Sequence, residues 1–149
     1  MKAMLKIDPF CLDTLVDRFF RSGEENLRIL ILDTINELGG VSSLAPILYQ
    51  EFSEGDFAEK GYLEKRLFFT ALALSHEETF KRALEELLAV TPGWRMRKKW
   101  EETVKIALTV AVDTDRIGMG LVRGMVEASK NRRARKVWDA LVETREGIR

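Results

Sequence analysis

The feature that most restricts what this chain can fold into is the serial recurrence of amphipathic helix signals at a nearly constant spacing. First helices of successive units are expected to begin near residues 24, 61, 96 and 131, a period of roughly 35–37 residues that falls inside the ~20–50 range of stacked repeats. "EENLRILILDTINELGG" opens on acids suited to the positive end of a helix and closes on Gly39-Gly40. Its stretch from Ile29 to Leu32 is apolar all round, so this helix is expected to be covered on more than one side. "SSLAPILYQEF" predicts a short helix with a serine cap and Pro46 in its first turn. "YLEKRLFFTALAL" and "SHEETFKRALEELLA" predict a helix pair, with Ser75 and Glu78 spaced as an S-x-x-E capping box at the junction. After a turn at "TPG", "WRMRKKWEETVKIALTVAV" and "TDRIGMGLVRGMVEA" form another pair, and "RRARKVWDALVETREG" is the last helix. "SEGDFAEKG" is the most loop-like segment and places the first structural joint near residues 53–61. No credible alternating strand intervenes, so the expected class is all-α.

Sequence content recurs along with the spacing. "LRILILDTINELGG", "EKRLFFTALALS", "TVKIALTVAVDT" and "ARKVWDALVET" each set a basic residue ahead of an apolar stretch holding small residues or Thr. The second helices share bulky residues four apart: Leu44 and Leu48, Phe80 and Leu84, Ile117 and Leu121. On these segments the chain resembles the HEAT-repeat family, best in "EKRLFFTALALSHEETFKRALEELL" and "EETVKIALTVAVDTDRIGMGLVRGMVEASKNRRARKVWDALVE". The period is shorter than the ~40–47 usual for that family, and its mid-unit proline is missing. The resemblance implies a right-handed α-α superhelix, a solenoid of about three to four stacked helix pairs, because one pair cannot bury its apolar face alone. The implied organisation is a single domain over 1–149, with helix-pair repeats at 24–52, 61–90 and 95–128 and a terminal helix at 131–146. "DPFCLDTLVDRFFRSG", with Asp8 as N-cap, Pro9 and Gly23, supplies a capping helix over 8–23. Leu67, Ala71, Leu84, Leu87, Ile106, Val110, Leu121 and Met125 are expected to form the core between repeats.

Composition narrows the function classes. A hydrophobic share of 46% in 149 residues is enough for a core. No stretch reaches the ~18 apolar residues a membrane span requires. "MKAMLKIDPFCL" is broken by Lys6 and Asp8, so no secretion signal is expected. Cys11 is the single cysteine and His76 the single histidine; neither an internal disulfide nor a metal-ligand set is expected, and a reducing cytoplasm is the expected setting. Cys11 reads as a small buried or half-buried group, and His76 as structural or exposed. Gly118, Gly120 and Gly124 in "RIGMGLVRG" imitate a nucleotide-binding loop poorly, because the third glycine is misplaced and no second strand follows. They read instead as close-approach points between helices. Glu77, Glu78, Glu85 and Glu86 read as a solvated face. No catalytic residue and no cofactor is assigned.

Net charge is zero but unevenly spread. Residues 1–90 carry ten Lys/Arg against sixteen Asp/Glu, and residues 91–149 fourteen against eight, so the two parts carry about −6 and +6. Such a layout orients a charged partner or lets copies associate weakly, head to tail. Much of the positive charge sits in "RMRKK" and "KNRRARK", at the starts of two consecutive first helices. Stacked repeats bring those starts to one edge, giving a ridge of Arg95, Arg97, Lys98, Lys99, Lys130, Arg132, Arg133, Arg135 and Lys136. Cations at a helix N-terminus oppose the macrodipole, so the placement strengthens attraction for anions at a cost in helix stability. Trp94, between Gly93 and Arg95, reads as an exposed contact residue, whereas Trp100 and Trp138 fit the core. The expected function is a non-enzymatic protein-interaction scaffold that docks a macromolecular partner on its curved or basic surface. Lys81, Arg82, Arg116 and Arg123 are expected to point outward from the second helices toward that partner. The alternative is a nucleic-acid-binding solenoid that uses the ridge at 95–99 and 130–136.

Overall fold

The structure, a computed structural model, describes residue 14 and residues 23–54, 57–114 and 117–146. Apart from Thr14, which is helical, and Gly23, the segment expected to form the 8–23 helix lies outside the described residues, as do Cys11 and Arg116. The described residues form α-helices α1 (Glu25–Glu37), α2 (Ala45–Ser53), α3 (Tyr62–Ser75), α4 (Glu77–Ala89), α5 (Arg97–Asp113), α6 (Gly118–Ser129) and α7 (Arg132–Glu146), with no strand among them. The helices α1, α3, α5 and α7 start within one residue of the positions expected for first helices. Contacts divide the chain into two compact units between Phe80 and Lys81, within the run of α4.

In the first unit, α1 lies along α3, and α2 packs against α3. Ile31, Leu32 and Ile35 from α1 join Leu44, Leu48 and Leu72 in burial. The loop-like segment is not a joint. After α2 it makes a 3-10 turn, Phe57–Glu59, and drives Phe57 between Phe52, Phe68 and Phe69 at ring distances of 5.2, 4.8 and 5.5 Å. These tilted and edge-on arrangements add to the burial energy of the rings. The all-apolar stretch of α1 is covered less completely than expected, since Leu30 remains 48% exposed.

The end of α1 depends on backbone freedom. Gly39 and Gly40 both have positive φ, and the Gly40 amide donates to the Ile35 carbonyl at 2.9 Å. A Cβ on Gly40 would overlap the backbone carbonyl of Leu74 at the end of α3. Next to this contact the Ser75 hydroxyl accepts the Val41 N–H at 3.0 Å. Ser75 is therefore the buried last residue of α3 and does not form the expected capping box. His76 takes that role: its Nδ1 accepts the Thr79 N–H at 3.2 Å and lies 2.8 Å from the Thr79 hydroxyl. The serine cap expected for α2 also differs. Ser42–Leu44 form a 3-10 turn, and Leu44 stands at the N-cap without a side-chain cap bond.

A buried ion cluster closes the other side of this unit. Arg28 donates from Nε and Nη2 to the two carboxylate oxygens of Glu64, at 2.7 and 3.1 Å. Lys60 Nζ lies 3.1 Å from Glu51 and 3.4 Å from Glu64. Glu51 and Glu64 are buried, so two cations offset two anions away from water. The hydrogen bonds that Arg28 donates to Glu64 raise the Arg28 pKa above its ordinary value, against the opposing effect of burial. Arg28 therefore stays charged at any ordinary pH.

In the second unit, α5 packs against α6 and α7, and α6 against α7. Its core holds Leu84, Leu88, Trp100, Val104, Leu108, Val122, Val126, Ala134 and Trp138. Of the residues expected between repeats, Ala71, Leu84, Leu87, Ile106 and Val110 are buried, while Leu67 and Met125 are half-buried. Leu121 is 42% exposed, contrary to expectation. Gly120 and Gly124 likewise face open space, with nothing within 4 Å of a built Cβ, so they are not close-approach points in this unit.

Two substitutions test this packing in urea unfolding. Leu84→Ala, at a site 1% exposed, should cost about 2–5 kcal/mol. Gly40→Ala should cost about 2–4 kcal/mol, from overlap with Leu74 plus a left-handed conformation at a non-glycine residue. A loss below about 0.5 kcal/mol at either site would contradict the packing described.

Candidate functional site

The site is built around the C-terminus of α4. The last carbonyls of a helix lack intrahelical donors and need partners from elsewhere. Trp100, near the start of α5, donates its indole N–H to Leu87 O at 3.2 Å. Asn131, directly before α7, donates from Nδ2 to Leu88 O at 2.7 Å and to Val90 O at 3.0 Å. The same side chain uses Oδ1 to accept the backbone N–H groups of Arg133 and Ala134 at 3.1 and 3.3 Å, which makes it the N-cap of α7. At the far end Arg145 of α7 pairs with Asp113 of α5 at 2.7 Å. Helices α5 and α7 are thus tied at both ends, run parallel, and start at the same end of the unit.

Both basic runs consequently meet there, as the sequence anticipates. Arg95, Lys98, Lys99, Lys130, Arg132, Arg135 and Lys136 are exposed, and Arg97 and Arg133 are half-buried. Among the described residues, Arg95, Arg97, Lys98, Lys130, Arg132, Arg133, Arg135 and Lys136 take part in no ion pair. The Arg97 Nε is buried without a hydrogen-bond partner. Met96 gives α5 no side-chain cap, so Asn131 caps α7 while the first N–H groups of α5 have no such cap. Lys130 adopts the left-handed conformation, φ 54°, at the turn from α6 to α7. Exposed cations beside a helix N-terminus suit an anionic surface better than a neutral one.

The tryptophans fall where the sequence places them. Trp100 and Trp138 are buried, and Trp94 is 75% exposed on the turn before α5. The Arg95 guanidinium lies over the Trp94 ring, 5.2 Å from its centroid.

The second group of candidate contacts does not join this end. Arg82 is exposed and lies 3.6 Å from Glu86, an arrangement of little energetic weight, and Lys81 is half-buried. Both lie in the N-terminal part of α4, about two turns from its basic end. Arg123 is exposed on α6 and lines a shallow groove of about 520 Å³ with Arg135, Trp138, Asp139 and Glu143. Arg116 lies outside the described residues.

Asn131 is the residue that reading the run as charge overlooks. Its position directly before a helix, in a residue type favoured as N-cap, was the available signal. Among the described residues, no group of three or more His, Cys, Asp or Glu could hold a metal, and no helix is long and apolar enough to cross a membrane. Comparison with protein-family models, curated proteins and solved structures found no match.

Asn131→Ala removes the α7 cap and leaves the Leu88 and Val90 carbonyls short of a donor. It should cost about 1.5–3 kcal/mol in urea unfolding. Asn131→Asp keeps the cap but loses the donors, and should fall between wild type and the alanine variant. Equal stability of all three would rule out this tie.

Proposed function

We propose that the chain is a non-enzymatic interaction module of HEAT-like helix pairs that docks an acidic segment of a protein partner on the basic end of its second unit, in a cytoplasmic setting. The observation that carries this reading is the meeting of nine Lys and Arg side chains at one helix-start end, eight of them in no ion pair among the described residues. The repeat reading is supported by first helices that start 37, 35 and 35 residues apart. It is supported further by the side-by-side packing of α1 on α3 and of α5 on α7. The cytoplasmic setting rests on the single cysteine, which leaves no internal disulfide to form.

A second reading, nucleic-acid binding on the same ridge, is favoured by one specific observation. Trp94 offers a flat exposed ring beside the cations, the combination that single strands use for stacking. The two readings differ in what competes for the surface and in how salt acts.

The decisive variant is Arg132→Gln, Arg133→Gln and Arg135→Gln together. The fold should survive, because surface changes seldom exceed about 0.5 kcal/mol. Capture of an acidic peptide such as oligoglutamate should weaken at least about tenfold, while the unsubstituted chain prefers the peptide to a DNA duplex of equal charge. A preference for DNA or RNA, with a log–log salt slope that shrinks by about one per phosphate contact removed, would promote the second reading. If the unsubstituted chain binds neither probe more tightly than about 10⁻⁴ M, both readings fail.

A further inference from the structure

The outer face of α6 is unusual for a helix already packed in a unit. Gly120, Gly124 and Ala128 follow one another at four-residue steps and are all exposed. A side chain added at either glycine would meet nothing within 4 Å. Leu121 beside them is 42% exposed. Between this face and the C-terminal part of α4 runs an open groove of about 520 Å³, lined by Leu88, Ala89, Gly120, Leu121, Gly124 and Met125. Glu85 and Ser129 also line it, but most of its wall is apolar, and open apolar surface of this kind marks a place where another element packs.

The charges on the opposite flank identify that element. Arg123 and Glu127 lie one turn apart on the same side of the small-residue stripe, and both are exposed. Neither takes part in an ion pair among the described residues, although they could reach each other along the helix. In an antiparallel helix pair, a given flank of one helix faces the same flank of the other. A two-fold axis at the level of Met125 therefore sets Arg123 of one copy against Glu127 of the second copy, and the reverse. One helix face supplies both halves of two ion pairs, the self-complementarity that an isologous interface demands.

We propose that α6 and its groove form a homodimer interface, in which the α6 helices of two copies of this chain pack antiparallel along the Gly120, Gly124 and Ala128 stripe. The glycines let the backbones approach, Leu121 and Met125 fill toward the groove, and the charge pairs fix direction and register. An interface built from one helix face and its groove lies at the small end of specific contacts, so the dimer is weak and forms with rising concentration. The pairing uses none of the nine cations of the basic end, although its groove borders that end at Leu88 and Ala89, and its test is separate from theirs.

Sedimentation velocity of the full chain between about 10 μM and 1 mM tests it, a range that spans weak dimer affinities. The mass should rise from monomer toward dimer. Gly124→Lys should stay monomeric throughout with a thermal midpoint no lower than wild type, because the site is open and lysine favours helix over glycine. Arg123→Glu alone and Glu127→Arg alone should each weaken the dimer at least about tenfold, and the two together should restore it. A monomeric mass for the unsubstituted chain over the whole range would overturn the proposal. So would a Gly124→Lys variant that dimerises as well as wild type, or a double charge swap no better than either single change.

Discussion

The organisation of the second unit follows from how the last carbonyls of α4 find their donors. The last carbonyls of a helix need partners, and here the partners come from the starts of two other helices. The Trp100 indole takes Leu87 O, and the Asn131 amide takes Leu88 O and Val90 O. Satisfying one helix C-terminus in this way brings the N-termini of α5 and α7 beside it, so the negative end of one dipole meets the positive ends of two others. Packing along their lengths keeps α5 and α7 parallel, with Arg145 and Asp113 paired at the far end. The concentration of positive charge is thus a consequence of hydrogen-bond accounting. Once the helix starts are gathered, whatever residues occupy their first turns are gathered too.

Local signals in the sequence carry local structure well. The beginnings of α1, α3, α5 and α7 are legible because acids, glycines and apolar periodicity act within a turn or two of where they stand. The parallel course of α5 and α7 is legible as well, since a repeat of constant length returns first helices to one end. What is not legible depends on residues far away in the chain. Ser75 looks like a cap until the Val41 amide claims its hydroxyl, and then His76 takes over the capping. Gly40 reads as a helix stop, but what forbids a side chain there is the backbone of Leu74.

Charge and apolar patterns mislead in opposite directions. Glu64 and Lys65 look like surface residues by spacing, yet both are buried; a pattern records where polar residues fall and not whether a counter-charge waits for them. Leu121, Gly120 and Gly124 look like interior positions, yet they face outward, because periodicity assigns a neighbour to every apolar stripe whether or not the chain supplies one. The basic end was visible both as charge and as a meeting of two helix starts, but the tie that holds it was not. Asn131, an uncharged residue near the start of that run, holds it in place.

The ion cluster of the first unit has a bearing on how this sequence can change over time. Arg28, Glu51, Lys60 and Glu64 sit on three helices and a turn, and each meets its counter-charge on another. An apolar core drifts easily, since leucine, isoleucine and methionine trade places for little when volume is kept. Replacing one member of the cluster leaves the others buried and uncompensated, which costs far more than replacing all of them with apolar groups that fill the same space. Stepwise drift at these four positions is therefore blocked, while concerted exchange is open. Among descendants of a common ancestor, the cluster should persist whole or vanish whole, and so should trace lineage more faithfully than the apolar packing around it.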